Sequence, residues 1–243
     1  MMTLHLYQSY YQKDQENTLN SIFIPYDNTK NETPELREYP MWKALYEKHK
    51  GTMVYWGLLS WRWLDKTKLP AEEFKQWILD NPGYDVYHID PFLDVSVSYP
   101  NIWIQGDRWH PGMINFCNRL FPKIGINKPV ESIIYKPKDF ATCNYFVGNT
   151  LFWGSYLKFL DEVIEICQND PELNHYMFED KRLYNGAMIP SFSFIVERLF
   201  SLHNFTKPKI KVKKFPVSWH NYEKMYGPAH SELVRIYDEK NNQ

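Results

Sequence analysis

His88 and Asp90 are candidate metal ligands, because they stand two residues apart at the end of a short segment, Asp85–Ile89, whose composition predicts a strand. Side chains at that spacing point to the same face of a strand. A divalent cation held there would neutralise a departing diphosphate. Imidazole is a poorer ligand for Mg²⁺ than a carboxylate is, so the pair indicates either Mn²⁺ or a site that relies on cationic side chains. The alternative is structural: Asp90 caps the turn before Pro91 and His88 packs inside.

Two further candidates lie outside any clear motif. His220 would complete a metal site or contact phosphate, although a single histidine is more often structural. Trp109 belongs to a segment, Asp107–His110, which we expect to form a loop on the acceptor side.

Arg62 and Lys66 are four residues apart in Ser60–Thr67, a segment that also contains two tryptophans. Arginine and lysine both bind diphosphates, arginine through paired hydrogen bonds. We therefore expect both side chains to contact a phosphorylated donor. The alternative is a solvated surface turn.

Glu197 and Arg198 interrupt the clearest helical pattern of the chain, Phe192–His203. Charges in such an apolar helix are costly unless they face solvent or find partners. Glu197 is the candidate base for an acceptor hydroxyl. Arg198 either contacts the acceptor or fixes the helix through an ion pair.

Composition and missing motifs narrow the class of protein. The 243 residues carry a net charge of −1, which argues against a broad nucleic-acid-binding surface. Aromatic residues make up 17%, which suits sugar binding or a bulky core. Three cysteines without metal spacing, and the lack of a signal peptide or spanning segment, predict a cytoplasmic protein with at most peripheral contact with the inner face of a membrane. The sequence has no Walker, GxGxxG, HExxH or GxSxG motif.

Strands and helices alternate along the first half of the sequence, which favours an α/β fold with helices on both faces of a sheet. The pattern predicts strands at Thr3–Tyr7, Ile22–Pro25, Met53–Leu59, Asp85–Ile89, Ile133–Tyr135 and Cys143–Val147, and an edge strand in the basic run Lys207–Lys214. It predicts helices at Leu36–Lys50, Pro70–Leu79, Leu151–Cys167 and Phe192–His203. Ligands bind beyond the carboxyl ends of such strands, so we expect Gln8–Tyr11, Leu59–Lys66 and the Asp90 turn to lie along one edge.

Four segments resemble bacterial glycosyltransferases that build surface polysaccharides such as capsule and lipopolysaccharide. They are Tyr55–Thr67 (YWGLLSWRWLDKT), Asp85–Phe92 (DVYHIDPF), Cys143–Trp153 (CNYFVGNTLFW) and Phe194–Phe200 (FIVERLF). The resemblance runs from about residue 5 to residue 203. It implies a GT-A-like, Rossmann-like α/β fold with a mixed central sheet flanked by helices. It also implies a nucleotide-diphospho-sugar donor and a glycan or lipid-linked glycan acceptor.

The resemblance also implies roles for individual residues. It puts Asp90 beside the donor diphosphate or its metal, which would be Mn²⁺ or Mg²⁺, and it makes Asp90 and Glu197 the candidate catalytic carboxylates. We expect Gln8, Tyr10, Arg62, Lys66, Asp85 and His88 on the donor side, and Asn144, Tyr145, Trp109 and Arg198 on the acceptor side. His88 departs from the family pattern, in which a carboxylate is common at that position.

We predict one glycosyltransferase domain, or one module of a longer multidomain transferase. Its nucleotide-sugar-binding half would be residues 1–100, its acceptor-side half residues 101–220, and its flexible tail residues 221–243. Three other classes remain open. They are a carbohydrate-binding module without catalysis, a scaffold protein, and a glycoside hydrolase that pairs Asp90 with Glu179 or Glu197.

Overall fold

A six-stranded mixed sheet forms the centre of the protein, in the strand order β2–β1–β3–β5–β4–β8. The computed structural model describes residues 2–184 and 186–217, together with residues 222, 223, 227, 232, 235, 236 and 239. The strands of the sheet are β1 (Thr3–Tyr10), β2 (Ile24–Asp27), β3 (Val54–Ser60), β4 (Val86–His88), β5 (Phe146–Gly148) and β8 (Val212–Lys214). β5 runs antiparallel to its neighbours β3 and β4, and the other neighbouring pairs are parallel. A separate hairpin pairs β6 (Lys181–Tyr184) with β7 (Ala187–Pro190).

Helices cover both faces of the sheet, as the alternating pattern predicts. The α-helices of the described residues are α1 (Lys13–Glu16), α2 (Tyr39–His49), α3 (Trp63–Thr67), α4 (Ala71–Asp80), α5 (Leu93–Ser98), α6 (Ile102–Trp109), α7 (Met113–Leu120), α8 (Thr150–Gln168), α9 (Pro171–Asn174) and α10 (Phe192–Thr206). Trp56 and Leu58 of β3 pack into the core with α2, α8 and α10, whereas Leu59 packs on the opposite face with α3 and α4. The α/β fold with a mixed sheet flanked by helices is therefore confirmed.

Close packing at the centre explains the aromatic content. The rings of Trp56 and Trp153 stack with centroids 3.9 Å apart, and the indole N–H of Trp153 donates to the Trp56 carbonyl at 2.9 Å. Burial of one large apolar side chain contributes roughly 1.5–3 kcal/mol. Glycine is required at position 57, next to Trp56 in β3, because a Cβ there would lie 2.4 Å from the Phe146 carbonyl oxygen. Much of the tryptophan content thus builds the core.

Most of the predicted elements are present with boundaries shifted by a few residues. The segment Ile133–Tyr135 is the exception, because it lies outside the sheet and the strand prediction is wrong. The Tyr135 N–H donates to the Pro100 carbonyl at 2.9 Å, and the side-chain amide of Asn101 donates to the Ile133 carbonyl at 2.8 Å. The backbone N–H and C=O groups of this segment therefore find their hydrogen-bond partners in loop contacts and not in strand pairing. Residues 101–132, for which the sequence pattern gave no elements, contain α6 and α7. The prediction of a loop at Asp107–His110 is therefore wrong, because the first three of these residues belong to α6.

Three parallel strands end at the same edge of the sheet, as the sequence predicts. β1 ends at Tyr10, β3 at Ser60 and β4 at His88. The segments that follow these ends are therefore neighbours in space.

No helix of the described residues is long and apolar enough to cross a membrane. Most of the predicted tail at 221–243 lies outside the described residues.

Candidate functional site

A cleft of about 660 Å³ opens at this edge of the sheet. Tyr11, Arg62 and Phe92, which follow β1, β3 and β4, contribute to its wall. The start of α2 and one face of α10 complete it, so both halves of the chain line the cleft. Four cationic side chains and three carboxyl groups face the cleft, and they are Arg37, Arg62, Lys66, Arg198, Glu38, Asp65 and Glu197.

Arg62 is the cation in the cleft that is best placed for an anionic ligand. Its guanidinium lies 6.0 Å from the ring centroid of Trp61, which is 43% exposed. That guanidinium makes no hydrogen bond or ion pair with any described residue. Arg62 directly precedes α3, and its N–H donates to the Ser60 hydroxyl at 3.2 Å. The turn after β3 therefore presents a cation beside an aromatic surface.

Lys66 lies deeper, one turn further along α3. Its ammonium group is 3.9 Å from the Cys143 sulfur and 5.9 Å from the ring centroid of Tyr145. Burial raises the pKa of the Cys143 thiol to about 12, so this thiol is protonated beside Lys66 at neutral pH. Arg62 and Lys66 share the cleft, which is the juxtaposition that their spacing predicts.

Arg198 lines the cleft, but its hydrogen bonds go to the protein. Its guanidinium donates to the Ile102 carbonyl at 3.1 Å, to the Phe194 carbonyl at 2.7 Å and to Gln105 Oε1 at 2.7 Å. The bonds to Ile102 and Gln105 tie α10 to α6. Arg198 therefore supplies positive charge to the cleft and fixes the helix that carries Glu197, and it forms none of the ion pairs seen among the described residues.

Glu197 and Glu38 are the two carboxyl groups at the base of the cleft. Burial raises the pKa of Glu197, and the charges of Lys66, Arg198 and Arg37 oppose that rise. Burial also raises the pKa of Glu38, and the negative charge of Glu197 raises it further. The Glu197 carboxyl accepts no hydrogen bond from a described residue. It is therefore open to a ligand and has the raised pKa that suits a general base.

Asn144 and Tyr145, which directly precede β5, lie at the base of the same cleft. Asn144 lines it, and its buried side-chain oxygen has no hydrogen-bond partner within the described part of the chain. Tyr145 is buried beneath, with its ring packed against Trp63. Next along β5, Phe146 stacks on Phe200 of α10 at a centroid distance of 4.5 Å. The segments Asn144–Phe146 and Glu197–Phe200 are therefore in direct contact.

Asp90 lies behind the cleft wall and is fully buried. Its carboxylate accepts from the Thr142 hydroxyl at 2.5 Å and from the Phe92 N–H at 3.4 Å, and the Lys214 ammonium is 3.8 Å away. Thr142 faces the cleft, whereas Asp90 does not. The structure thus gives Asp90 the turn-capping position that the sequence offers as the alternative to catalysis.

The predicted metal ligands do not form a cation site with the residues described. His88 is buried against Phe200, and burial lowers its pKa well below the ordinary value. Lys214 already places a positive charge beside Asp90. Among the described residues there is no group of three or more His, Cys, Asp or Glu side chains arranged to hold a metal. His220 lies outside the described residues, so the metal stays a prediction from sequence.

The other predicted donor and acceptor residues are not in the cleft wall. Gln8 is buried and donates to the Ser60 carbonyl at 2.9 Å, which supports that wall from behind. Tyr10 is buried next to Lys13. Asp85 lies at the opposite edge of the sheet, where it accepts from the Asn149 side chain and the Lys211 N–H. Trp109 is 67% exposed and precedes His110, which does line the cleft.

Arg37 and Glu38 are charged cleft residues that the sequence analysis did not predict, and uncharged ones that it did not predict are Thr142, Ile189, Ser193 and Phe194. The predicted helix begins at Leu36, which would place both inside it, whereas α2 begins at Tyr39. Proline favours the first turn of a helix, so Pro40 was a signal that Glu38 precedes the helix. Arg37 adopts a positive φ of 50°, and its Nε donates to the Ser193 hydroxyl at 3.0 Å. This bond joins the start of α2 to α10 across the cleft.

Comparisons with known proteins find a distant structural similarity but no family. No protein-family model matches the chain, and no curated protein matches it. The chain is similar to the apo structure of the bifunctional glycosyltransferase WbbM, with a TM-score of 0.48 and 14% sequence identity. The similarity covers 87% of this chain and 44% of the WbbM chain, so this chain spans less than half the length of that protein. A similarity this distant supports no inference about individual residues.

Proposed function

We propose that this chain is a glycosyltransferase domain that moves a sugar from a nucleotide-diphospho-sugar to a hydroxyl of a glycan or lipid-linked glycan. The observation that carries the proposal is the meeting of Glu197 with Arg62 and Lys66 in one cleft at the carboxyl edge of the sheet. A transferase of this kind needs a base for the acceptor and cations for the leaving diphosphate. The cleft contains both.

Arg62 and Lys66 bind the diphosphate in this proposal. Arg62 has the donors for paired hydrogen bonds with phosphate oxygens, and Trp61 beside it offers a flat surface to the base or the sugar. As the bond between the anomeric carbon and the diphosphate oxygen breaks, negative charge grows on that oxygen. Fixed cations stabilise that charge most strongly where water is excluded. If Mn²⁺ or Mg²⁺ takes part, it supplies further charge neutralisation at the diphosphate.

Glu197 accepts the proton of the acceptor hydroxyl as its oxygen attacks the anomeric carbon in a direct displacement. Arg198 fixes the helix that carries this carboxyl through its bonds to Ile102 and Gln105. The raised pKa of Glu197 makes it a stronger base than an exposed carboxylate. We place this activity in surface-polysaccharide synthesis at the cytoplasmic side of a membrane, with the chain as a module of a larger transferase.

The test is turnover and binding of nucleotide-sugars by the purified chain, with and without Mn²⁺. We expect at least one UDP-, GDP- or dTDP-sugar to raise the melting temperature and to be consumed, with release of the nucleoside diphosphate. Glu197→Gln should keep the thermal shift and lose the turnover. An absence of both thermal shift and turnover across the three nucleotides would contradict the proposal.

One observation favours glycoside hydrolysis as a second candidate. Glu38 and Glu197 share the cleft, and two carboxyl groups across a cleft are the requirement of that reaction. The pairs expected from sequence do not form there, because Asp90 is buried and Glu179 is exposed and bonded to His175. The four cations of the cleft favour a phosphorylated ligand instead. Release of sugar from a glycan without nucleotide would favour hydrolysis.

A further inference from the structure

A small recess of about 60 Å³ opens from the floor of the cleft. It shares six residues with the cleft wall, which are Glu38, Ser60, Lys66, Cys143, Asn144 and Glu197. Leu58 and Tyr145 close its inner end. A volume of this size holds a few water-sized groups. The recess therefore fits one substituent of a sugar ring, while the ring itself occupies the larger cleft.

The recess contains hydrogen-bond acceptors beside the Lys66 ammonium and the buried Tyr145 hydroxyl, and that hydroxyl has no hydrogen-bond partner among the residues described. Glu38 and Glu197 contribute carboxyl oxygens, and the buried Asn144 side-chain oxygen has no partner among the residues described. A hydroxyl group can donate to these oxygens, whereas a second carboxylate cannot. An unpartnered buried acceptor costs free energy unless a ligand or water supplies the donor. The recess thus suits a hydroxyl, which can donate to the carboxyl and amide oxygens and accept from the Tyr145 hydroxyl.

The charged groups that line the recess also favour a neutral substituent. Two carboxyl groups face one ammonium group, that of Lys66. The negative charge of Glu197 disfavours ionisation of Glu38, and it disfavours a further anion in the recess in the same way. The guanidinium of Arg62 lines the wider cleft and not the recess, so the anion-binding part and the recess are separate.

We propose that this recess is the sugar subsite of the transferase, that it takes a neutral hydroxyl-bearing substituent of the sugar, and that Glu38 is the specificity-determining residue that excludes a sugar carboxylate. The inference rests on the proposed function, since it assumes a nucleotide-sugar ligand. It goes further by assigning Glu38 a role and by limiting the donor to neutral sugars. Glu197 keeps the role of base.

The experiment is calorimetric titration of the full chain with matched donors that differ only in the oxidation state of one sugar carbon. The pairs are UDP-glucose with UDP-glucuronic acid, UDP-galactose with UDP-galacturonic acid, and GDP-mannose with GDP-mannuronic acid. We expect the neutral member of the bound pair to have a Kd at least tenfold below that of its uronate. In Glu38→Gln the ratio should shrink to less than threefold, mainly through tighter uronate binding. Glu35→Gln, an exposed neighbour, should keep the wild-type ratio.

The outcomes separate the two proposals. Equal affinity of the wild-type chain for a neutral sugar and its uronate would overturn the inference while leaving the transferase proposal intact. A ratio that Glu38→Gln does not change would remove Glu38 from the specificity mechanism. Failure of UDP, GDP and every nucleotide-sugar to bind would overturn the proposed function and the inference with it. The wild-type ratio needs no variant, so a folding defect in Glu38→Gln leaves the test decisive.

Discussion

Two carboxyl groups, those of Asp90 and Glu197, each have a lysine nearby, and the protein treats them differently. Asp90 and Lys214 are both buried, at the ends of β4 and β8, and Asp90 also accepts hydrogen bonds from the protein. Glu197 and Lys66 face a cleft, and the Glu197 carboxyl receives no hydrogen bond from a described residue. Residues 142–144 separate the two groups and face the cleft.

The difference indicates which group can react. Asp90 is fully buried and does not line the cleft. Its Oδ1 accepts from Thr142 and Phe92, and its Oδ2, which accepts no hydrogen bond from a described residue, lies 3.8 Å from the Lys214 ammonium, so its role is to hold the backbone in place. Glu197 lines the cleft and accepts no hydrogen bond from a described residue, so its carboxyl can bind a ligand. Burial raises the pKa of both carboxyl groups, so access to the cleft is what distinguishes them. From sequence alone, Asp90 and Glu197 are equal candidates for catalysis. The structure favours Glu197 for chemistry and Asp90 for architecture.

The largest expected effect is the loss of turnover in Glu197→Gln. Removal of a general base typically lowers the rate by 10²–10⁴-fold, and we expect a loss of about 10³-fold in kcat. Binding of the nucleotide-sugar should change by less than threefold, because the amide keeps the shape of the side chain. Initial-rate kinetics of nucleoside diphosphate release measure this. A kcat within threefold of wild type, in a variant that still binds donor, would exclude Glu197 as the base.

Asp90→Asn tests the structural role of Asp90. The substitution leaves the buried Lys214 ammonium without its carboxylate, and breaking such a pair costs about 3–5 kcal/mol. Urea unfolding should show a loss near the lower end of that range, while the folded fraction keeps kcat within a few-fold. Asp161→Asn is the matched control, since its pair with Lys43 is half-exposed and contributes under about 1 kcal/mol. A stable but inactive Asp90→Asn would restore the catalytic or metal role predicted from sequence.

Arg62→Ala should weaken donor binding without affecting folding. A hydrogen bond to a charged group contributes about 1.5–3 kcal/mol, so Kd for the nucleoside diphosphate should rise by roughly 10–100-fold. The salt dependence of binding should fall at the same time, because one cation is lost. Calorimetric titration at two salt concentrations measures both. Arg235→Ala, which removes an exposed arginine paired with Glu232, should bind donor as wild type does.

The smallest effect concerns pH and stability in Glu38→Gln. Because burial raises the pKa of Glu38, the native chain keeps this proton to a higher pH than the unfolded chain does, whose carboxyl titrates near 4.5. The free energy of unfolding therefore falls as pH rises from 4.5 through the raised native pKa. Glutamine cannot ionise, so the variant should melt higher than wild type at pH 8 and equally at pH 4. A gain of about 1 kcal/mol in the free energy of unfolding of the variant corresponds to about 2–4 °C in Tm, which scanning calorimetry can measure. A variant that melts lower at pH 8 would show that ionised Glu38 stabilises the fold.

Local patterns in the sequence were sufficient for several parts of the site. The spacing of Arg62 and Lys66 within one turn of helix brings both to the cleft, and the 3.6-residue period of Phe192–His203 identifies the helix that carries Glu197. The order of strands and helices predicts that β1, β3 and β4 end at one edge. The short apolar run at Ile133–Tyr135 was ambiguous, since three residues cannot distinguish a strand from an extended loop.

The sequence by itself therefore determined the α/β class, the edge of the sheet where the cleft lies and the side chains that a single helix or turn presents. Only the tertiary structure decided that Glu38 faces Glu197, that Asp90 is buried behind Thr142 and that Asp85 lies at the far edge. The reason is physical. The role of a carboxyl depends on which distant groups surround it, and burial, charge and hydrogen bonding are set by packing between elements instead of by neighbours along the chain.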